Sequence, residues 1–110
     1  MWLFTKHGFY SVVKHESKEL FMVRARCRGH LEKLIDVCSL SENVVETPDN
    51  DYRFRITVGA AALSLIVEDL AMEIDYPNFK DACKKDVAYH SALHTVWNAM
   101  WVYEKKINGS

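Results

Sequence analysis

Between residues 52 and 58 apolar and polar positions alternate strictly. Tyr52, Phe54, Ile56 and Val58 fall on one side, and Arg53, Arg55 and Thr57 on the other. A period of two predicts a strand with one buried face. Pro48-Asp49-Asn50-Asp51 precedes it as a turn, since Pro presets φ and Asp and Asn bond their own backbone in tight bends. Val44–Thr47, just upstream, reads as a short partner strand, so the pair predicts a hairpin. Near the start, Phe9-Tyr10-Ser11-Val12-Val13 is rich in aromatic and β-branched residues and predicts a strand, extended backwards past a bulge at Gly8. Polar residues His15 to Lys18 make a loop, and Glu19–Arg26 reads as the return strand. Phe21, Val23 and Ala25 share one side of that strand, while Met22, Arg24 and Arg26 share the other.

Elsewhere the apolar positions follow a helical period. Leu31, Leu34, Ile35 and Cys38 predict a helix opened by Gly29, with Glu32, Lys33 and Asp36 on its far side. A second helix is expected over 60–74, burying Leu63, Ile66, Val67, Leu70 and Ile74. Pro77 breaks it and suits the first turn of a short helix over 78–84. The last helix is expected over 86–106. Its apolar positions Tyr89, Leu93, Val96, Met100, Tyr103 and Ile107 are spaced four, three, four, three and four apart, the seam of a helix that packs on another helix or on a second copy.

The order strand, strand, helix, strand, strand, helix, helix predicts one α+β domain over 1–110. Its simplest form is a two-layer sandwich: a four-stranded antiparallel sheet of two hairpins, with helices on one face and an extra C-terminal helix. A ferredoxin-like relative is the nearest common architecture. The two halves echo each other, since Arg24-Ala25-Arg26 leads to Gly29 as Arg53-Phe54-Arg55 leads to Gly59.

Trp2-Leu3-Phe4-Thr5, Gly8-Phe9 with Ser11-Val12, Val23-Arg24-Ala25-Arg26, Asp51-Tyr52 with Arg55, Asp75-Tyr76-Pro77-Asn78-Phe79-Lys80, and then Tyr89 and Val96-Trp97 resemble a group of small bacterial proteins of unknown function. The resemblance runs over nearly the whole chain. It implies a bacterial, cytoplasmic protein and assigns no functional residue.

Composition narrows the field. Fourteen Lys and Arg against fifteen Asp and Glu give a net charge of -1, so no overall basic charge points to nucleic acid, although a local basic patch remains compatible. The apolar start is broken by Lys6 and His7, too early for a signal-peptide core. The apolar run over 59–67 falls well short of the ~20 residues of a membrane span. Three cysteines without C-x-x-C spacing fit reduced, buried thiols rather than a disulfide framework or a zinc site.

Four groups of residues carry candidate chemistry. If helices cover the Phe54/Ile56 side of the sheet, then Arg24, Arg26, Arg53 and Arg55 line the other side, each able to grip a carboxylate or phosphate with two hydrogen bonds. Such a face binds RNA when aromatics interleave with the basic residues; Phe9 or Tyr10 would have to supply them. The competing expectation is that Glu19, Glu46, Asp49 and Asp51 neutralise these arginines across strands. His90 and His94, one helical turn apart, could share a metal with a third ligand, but Ser91 stands where H-E-x-x-H needs Glu. Glu68, Asp69, Glu73 and Asp75 would need burial to do acid/base work and are read as a solvated face. Trp97, Met100, Trp101 and Tyr103 form an interface candidate. The sequence therefore predicts a small cytosolic binding or interaction module without a cofactor, an anionic small molecule or RNA as ligand, and a homodimer. The alternatives are a purely structural homo-oligomeric subunit and a metal-dependent enzyme using His90 and His94.

Overall fold

The computed structural model describes residues 1–17 and 19–109; Lys18, the end of the expected first loop, lies outside them. The chain divides into two compact units, Met1–Asp75 and Tyr76–Ser110.

The first unit is α+β. Strands β1 (Trp2–Thr5), β2 (Gly8–Lys14) and β3 (Leu20–Ala25) lead to helix α1 (Arg28–Val37). Strands β4 (Val45–Glu46) and β5 (Phe54–Gly59) then lead to helix α2 (Ala60–Met72). The sheet has five strands in the order β1-β2-β3-β5-β4, and every neighbouring pair is antiparallel. This corrects the four-stranded expectation. It also departs from a ferredoxin-like arrangement, because three strands precede the first helix and form a meander.

The extra strand comes from a turn, where the sequence suggested a bulge. Thr5 and Gly8 face each other across Lys6-His7. The Thr5 hydroxyl accepts hydrogen bonds from the backbone N–H of His7 and Gly8, at 3.1 and 3.2 Å. Gly8 takes φ +150, a region that residues with a Cβ rarely enter. The chain therefore reverses at Gly8, and Trp2–Thr5 pairs with Gly8–Ser11.

One face of the sheet is the core. Tyr10 and Val12 from β2, Val23 and Ala25 from β3, and Ile56 and Val58 from β5 are buried with Leu31 and Leu34 of α1 and Ile66 and Leu70 of α2. Helix α1 packs on β2, β3 and β5, and α2 on β3 and β5. Each fully buried aliphatic side chain contributes roughly 1.5–3 kcal/mol. Tyr10 is fully buried, and its hydroxyl donates to the His30 carbonyl at 2.7 Å, so its polar end is satisfied inside the core. The buried stripe of α2 is narrower than its periodicity suggested. The helix ends at Met72, which leaves Ile74 beyond it and 62% exposed, while Val67 turns outward.

The second unit holds the short helix α3 (Phe79–Ala82) and the long helix α4 (Val87–Asn108). Asn78 caps α3 by accepting from the Asp81 N–H, and Asp86 caps α4 by accepting from the Tyr89 N–H. These caps satisfy N–H groups that a helix leaves without partners at its first turn. Gly109, at φ 70, closes α4 in the left-handed conformation suited to glycine. Among the described residues no helix is long and apolar enough to cross a membrane.

Candidate ligand-binding face

Strand register organises the face opposite the core. Trp2 pairs with Ser11, Ser11 with Arg24, Arg24 with Arg55, and Arg55 with Val45. Directly opposed residues project to the same side of a sheet. One row thus crosses all five strands: an aromatic ring at one edge, a hydroxyl, two arginines, and a valine at the far edge. A second pair, Phe4 opposite Phe9, lies on the same face beside it.

The arginines are held by contacts that leave their charge unpaired. Arg24 donates through Nη2 to Ser11 Oγ at 2.7 Å. Arg55 donates through Nη2 to the Tyr52 carbonyl at 3.0 Å and through Nη1 to Met22 Sδ at 3.5 Å. Arg26 donates to the Asp51 carbonyl at 3.1 Å. Among the described residues none of these three makes an ion pair with a carboxylate. Arg24 Nε and Arg55 Nε are buried and have no hydrogen-bond partner among the described residues. Leaving such donors unsatisfied costs about 1–3 kcal/mol each, more for charged groups. Like charges directly opposed across strands add to that cost.

Tyr52 is the correction that matters most here. The alternating pattern put it with Phe54 on the helical side. Instead its ring lies against the guanidiniums of both Arg24 and Arg26, 4.5 and 4.3 Å from the ring centre, and 6.2 Å from the Phe9 ring. It is only 5% exposed. The physical reason is that β5 begins at Phe54, so the strict alternation of a strand does not extend back to residue 52. Two cations stacked on one ring supply the pull.

Arg53 leaves the group. Its Nε is 3.3 Å from Glu46 and its side chain is about half exposed. It makes the cross-strand ion pair expected for all four arginines, while Arg24, Arg26 and Arg55 do not. Of the two aromatics the sequence offered, Phe9 joins the arginine face while Tyr10 is buried in the core on the other side; Trp2 and Phe4 were missed as companions of the arginines. Trp2 meets the edges of Phe4 and Phe9 at near-perpendicular angles, and Phe4 and Phe9 stack at 4.4 Å. The signal was their aromatic character, unusable until the turn at Gly8 placed them.

Lys6 lies 3.1 Å from Asp75 and 3.4 Å from Glu73. Its hydrogen bond to Asp75 raises its pKa, and the two carboxylates are occupied as its partners. Burial, reinforced by nearby Asp69, pushes the Cys38 thiol up to about 11. All three cysteines are free, and Cys27 is exposed rather than buried. His94 stacks on Trp97 and Trp97 on Trp101 along one side of α4. Lys80 Nζ sits over the Trp97 ring and 3.5 Å from His94 Nδ1. Among the described residues no three His, Cys, Asp or Glu side chains cluster closely enough to hold a metal ion, so His90 and His94 lack a third ligand. Trp97, Met100, Trp101 and Tyr103 are all well exposed.

Comparison with protein-family models, with curated proteins and with solved structures found no match for this chain.

Proposed function

We propose that this protein is a small binding module that takes an anionic group on its arginine-lined sheet face. The reading rests on one observation. Arg24 and Arg55 stand opposite each other on adjacent strands, and among the described residues neither has a carboxylate to neutralise it and the buried Nε of each lacks a partner. Arg26 adds a third charge through the shared Tyr52 ring. A phosphate or carboxylate between Arg24 and Arg55 relieves their repulsion and accepts charge-assisted hydrogen bonds, roughly twice as strong as neutral ones. The same face explains how a chain of net charge -1 holds an anion, because the positive charge is local. A cytosolic setting fits three free thiols.

Thermal melting in pyrophosphate against chloride at matched ionic strength tests this. At ~100 times its Kd the anion stabilises the fold by about 2.7 kcal/mol, an upward shift of about 10 °C or more in a domain of this size. Arg55→Met and Arg24→Met remove the shift. Identical melting in both salts refutes the proposal.

A second reading has its own observation. Trp97, Met100, Trp101, Tyr103 and Ile107 are all exposed over the last turns of α4 and fall on one broad side of it at helical spacing, and apolar surface gathered in this way marks interaction sites. A homodimer through α4 is the form that fits its heptad spacing. It predicts a light-scattering mass of twice 12.7 kDa, reduced to the monomer value by Met100→Glu with Trp101→Glu. A monomeric wild-type protein at micromolar concentration rules it out.

A further inference from the structure

The arginines do not stand alone on their face, and what accompanies them narrows the ligand. The row that carries Arg24 and Arg55 ends at Trp2, which is 66% exposed. Beside it Phe4 and Phe9 stack on each other, and Phe9 approaches Tyr52, the ring that supports Arg24 and Arg26. Aromatic surface and guanidinium groups therefore run side by side from β1 to β5. Neighbouring strands are about 4.8 Å apart, so the strip from Trp2 to Arg55 spans three such spacings, about 14 Å. A lone phosphate or small carboxylate needs only the arginine end. An anion that carries flat rings uses both ends.

We infer that the ligand is a short single-stranded nucleic acid, with bases stacked on Trp2 and beside Phe9 and phosphates held by Arg24, Arg26 and Arg55. This rests on the anionic-face reading above. The geometry favours single strands over duplex, because only unpaired bases offer their flat faces to side chains. Sheet platforms of this width hold two or three bases. Stacking tolerates any base, and among the described residues the face presents few side chains to read base edges, Ser11 being engaged by Arg24. The binding is therefore weakly sequence-dependent. With three arginines meeting phosphates, log K falls against log salt with a slope of about -2, shallow because the rest of the chain contributes no net positive charge.

Fluorescence anisotropy tests this with 5′-labelled eight-nucleotide RNA and DNA single strands and an RNA duplex. Inorganic pyrophosphate binding is followed separately by melting. The expected result is single-strand binding that exceeds duplex binding. Trp2→Ala, at an exposed position that leaves the fold intact, weakens it about 5- to 150-fold, the value of one stacked base, while its pyrophosphate shift is unchanged. Arg55→Met weakens both ligands, and Arg55→Lys restores them only in part because the planar fork is lost. Pyrophosphate stabilisation with no single-strand binding, or with binding indifferent to Trp2→Ala, overturns this inference and leaves the anionic face standing. Failure of pyrophosphate and nucleic acid together overturns both.

Discussion

Replacing Tyr52 by Leu interrogates the arrangement on which the candidate face depends. The ring carries two guanidiniums at 4.5 and 4.3 Å from its centre, and a leucine retains apolar bulk beside Phe9 but offers no π-face. A cation over a ring is worth about 0.5–1 kcal/mol at an exposed site and about 2 when desolvated. Arg26 is exposed and belongs at the low end; Arg24 is half-buried and belongs nearer the upper one. The combined loss is about 2 kcal/mol, a sizeable share of the 5–15 kcal/mol that holds a typical domain folded. Urea denaturation gives this as a shift in midpoint at constant slope. Double-mutant cycles separate the parts: Tyr52→Leu with Arg26→Met couples by about 0.5–1 kcal/mol, and with Arg24→Met by about 1–2 kcal/mol. Tyr52→Leu with Ile56→Val is additive within about 0.5 kcal/mol, because Ile56 belongs to the opposite, helix-covered face. Coupling to Ile56, together with none to either arginine, refutes the placement of Tyr52 and the shape of the arginine cluster with it.

Gly8→Ala sets a Cβ 2.3 Å from the His30 ring and 2.7 Å from His30 Cβ; ring rotation does not move that Cβ, so backbone must shift, and the unfavourable φ adds about 1–3 kcal/mol. We expect a loss above about 3 kcal/mol in urea melts, and a loss below 1 kcal/mol contradicts the turn geometry. For Cys38, burial favours the neutral thiol in the fold, so its stabilisation is complete below the ordinary pKa of 9.0 and disappears as pH rises towards about 11. Wild-type stability therefore falls between pH 8.5 and 10, Cys38→Ala flattens that fall, and an identical pH profile for the two proteins refutes it; above that range buried Tyr10, whose pKa is also raised by burial, takes over.

The core was legible because period and burial coincide wherever backbone is regular. Val23, Ala25, Ile56 and Val58 alternate within strands, and Leu31 and Leu34 recur at helical spacing, and all of them are buried. Legibility ended where regular backbone ended. Tyr52 kept the parity of Phe54 in the sequence but lies before the strand begins, and there a pair of cations sets its direction. The same limit hid β1. Gly8 in an apolar stretch signals a bulge or a turn alike, and only the Thr5 hydroxyl, accepting two backbone N–H groups, decides for reversal. Spacing identified the arginines as a group of four. Their pairing state depended on which carboxylates come within reach, a tertiary fact that separates Arg53 from the other three.

The turn at Gly8 therefore does more than add a strand. A bulge would have carried Trp2 and Phe4 onward past the end of β2, away from the arginines. The reversal folds them back so that Trp2 lines up with Ser11, Arg24 and Arg55 in one cross-strand row. Edge strands expose unpaired backbone groups, and the face beside this edge presents aromatic surface to solvent next to unneutralised guanidiniums. For stability alone, such a face is costly: two opposed arginines, two buried donors without acceptors, and an exposed tryptophan. Natural sequences tolerate that combination where function requires it. The repulsion between the arginines and the exposure of the tryptophan are relieved together by one occupant that has negative charge for the former and flat rings for the latter, and a stretch of single-stranded nucleic acid has both in one chain.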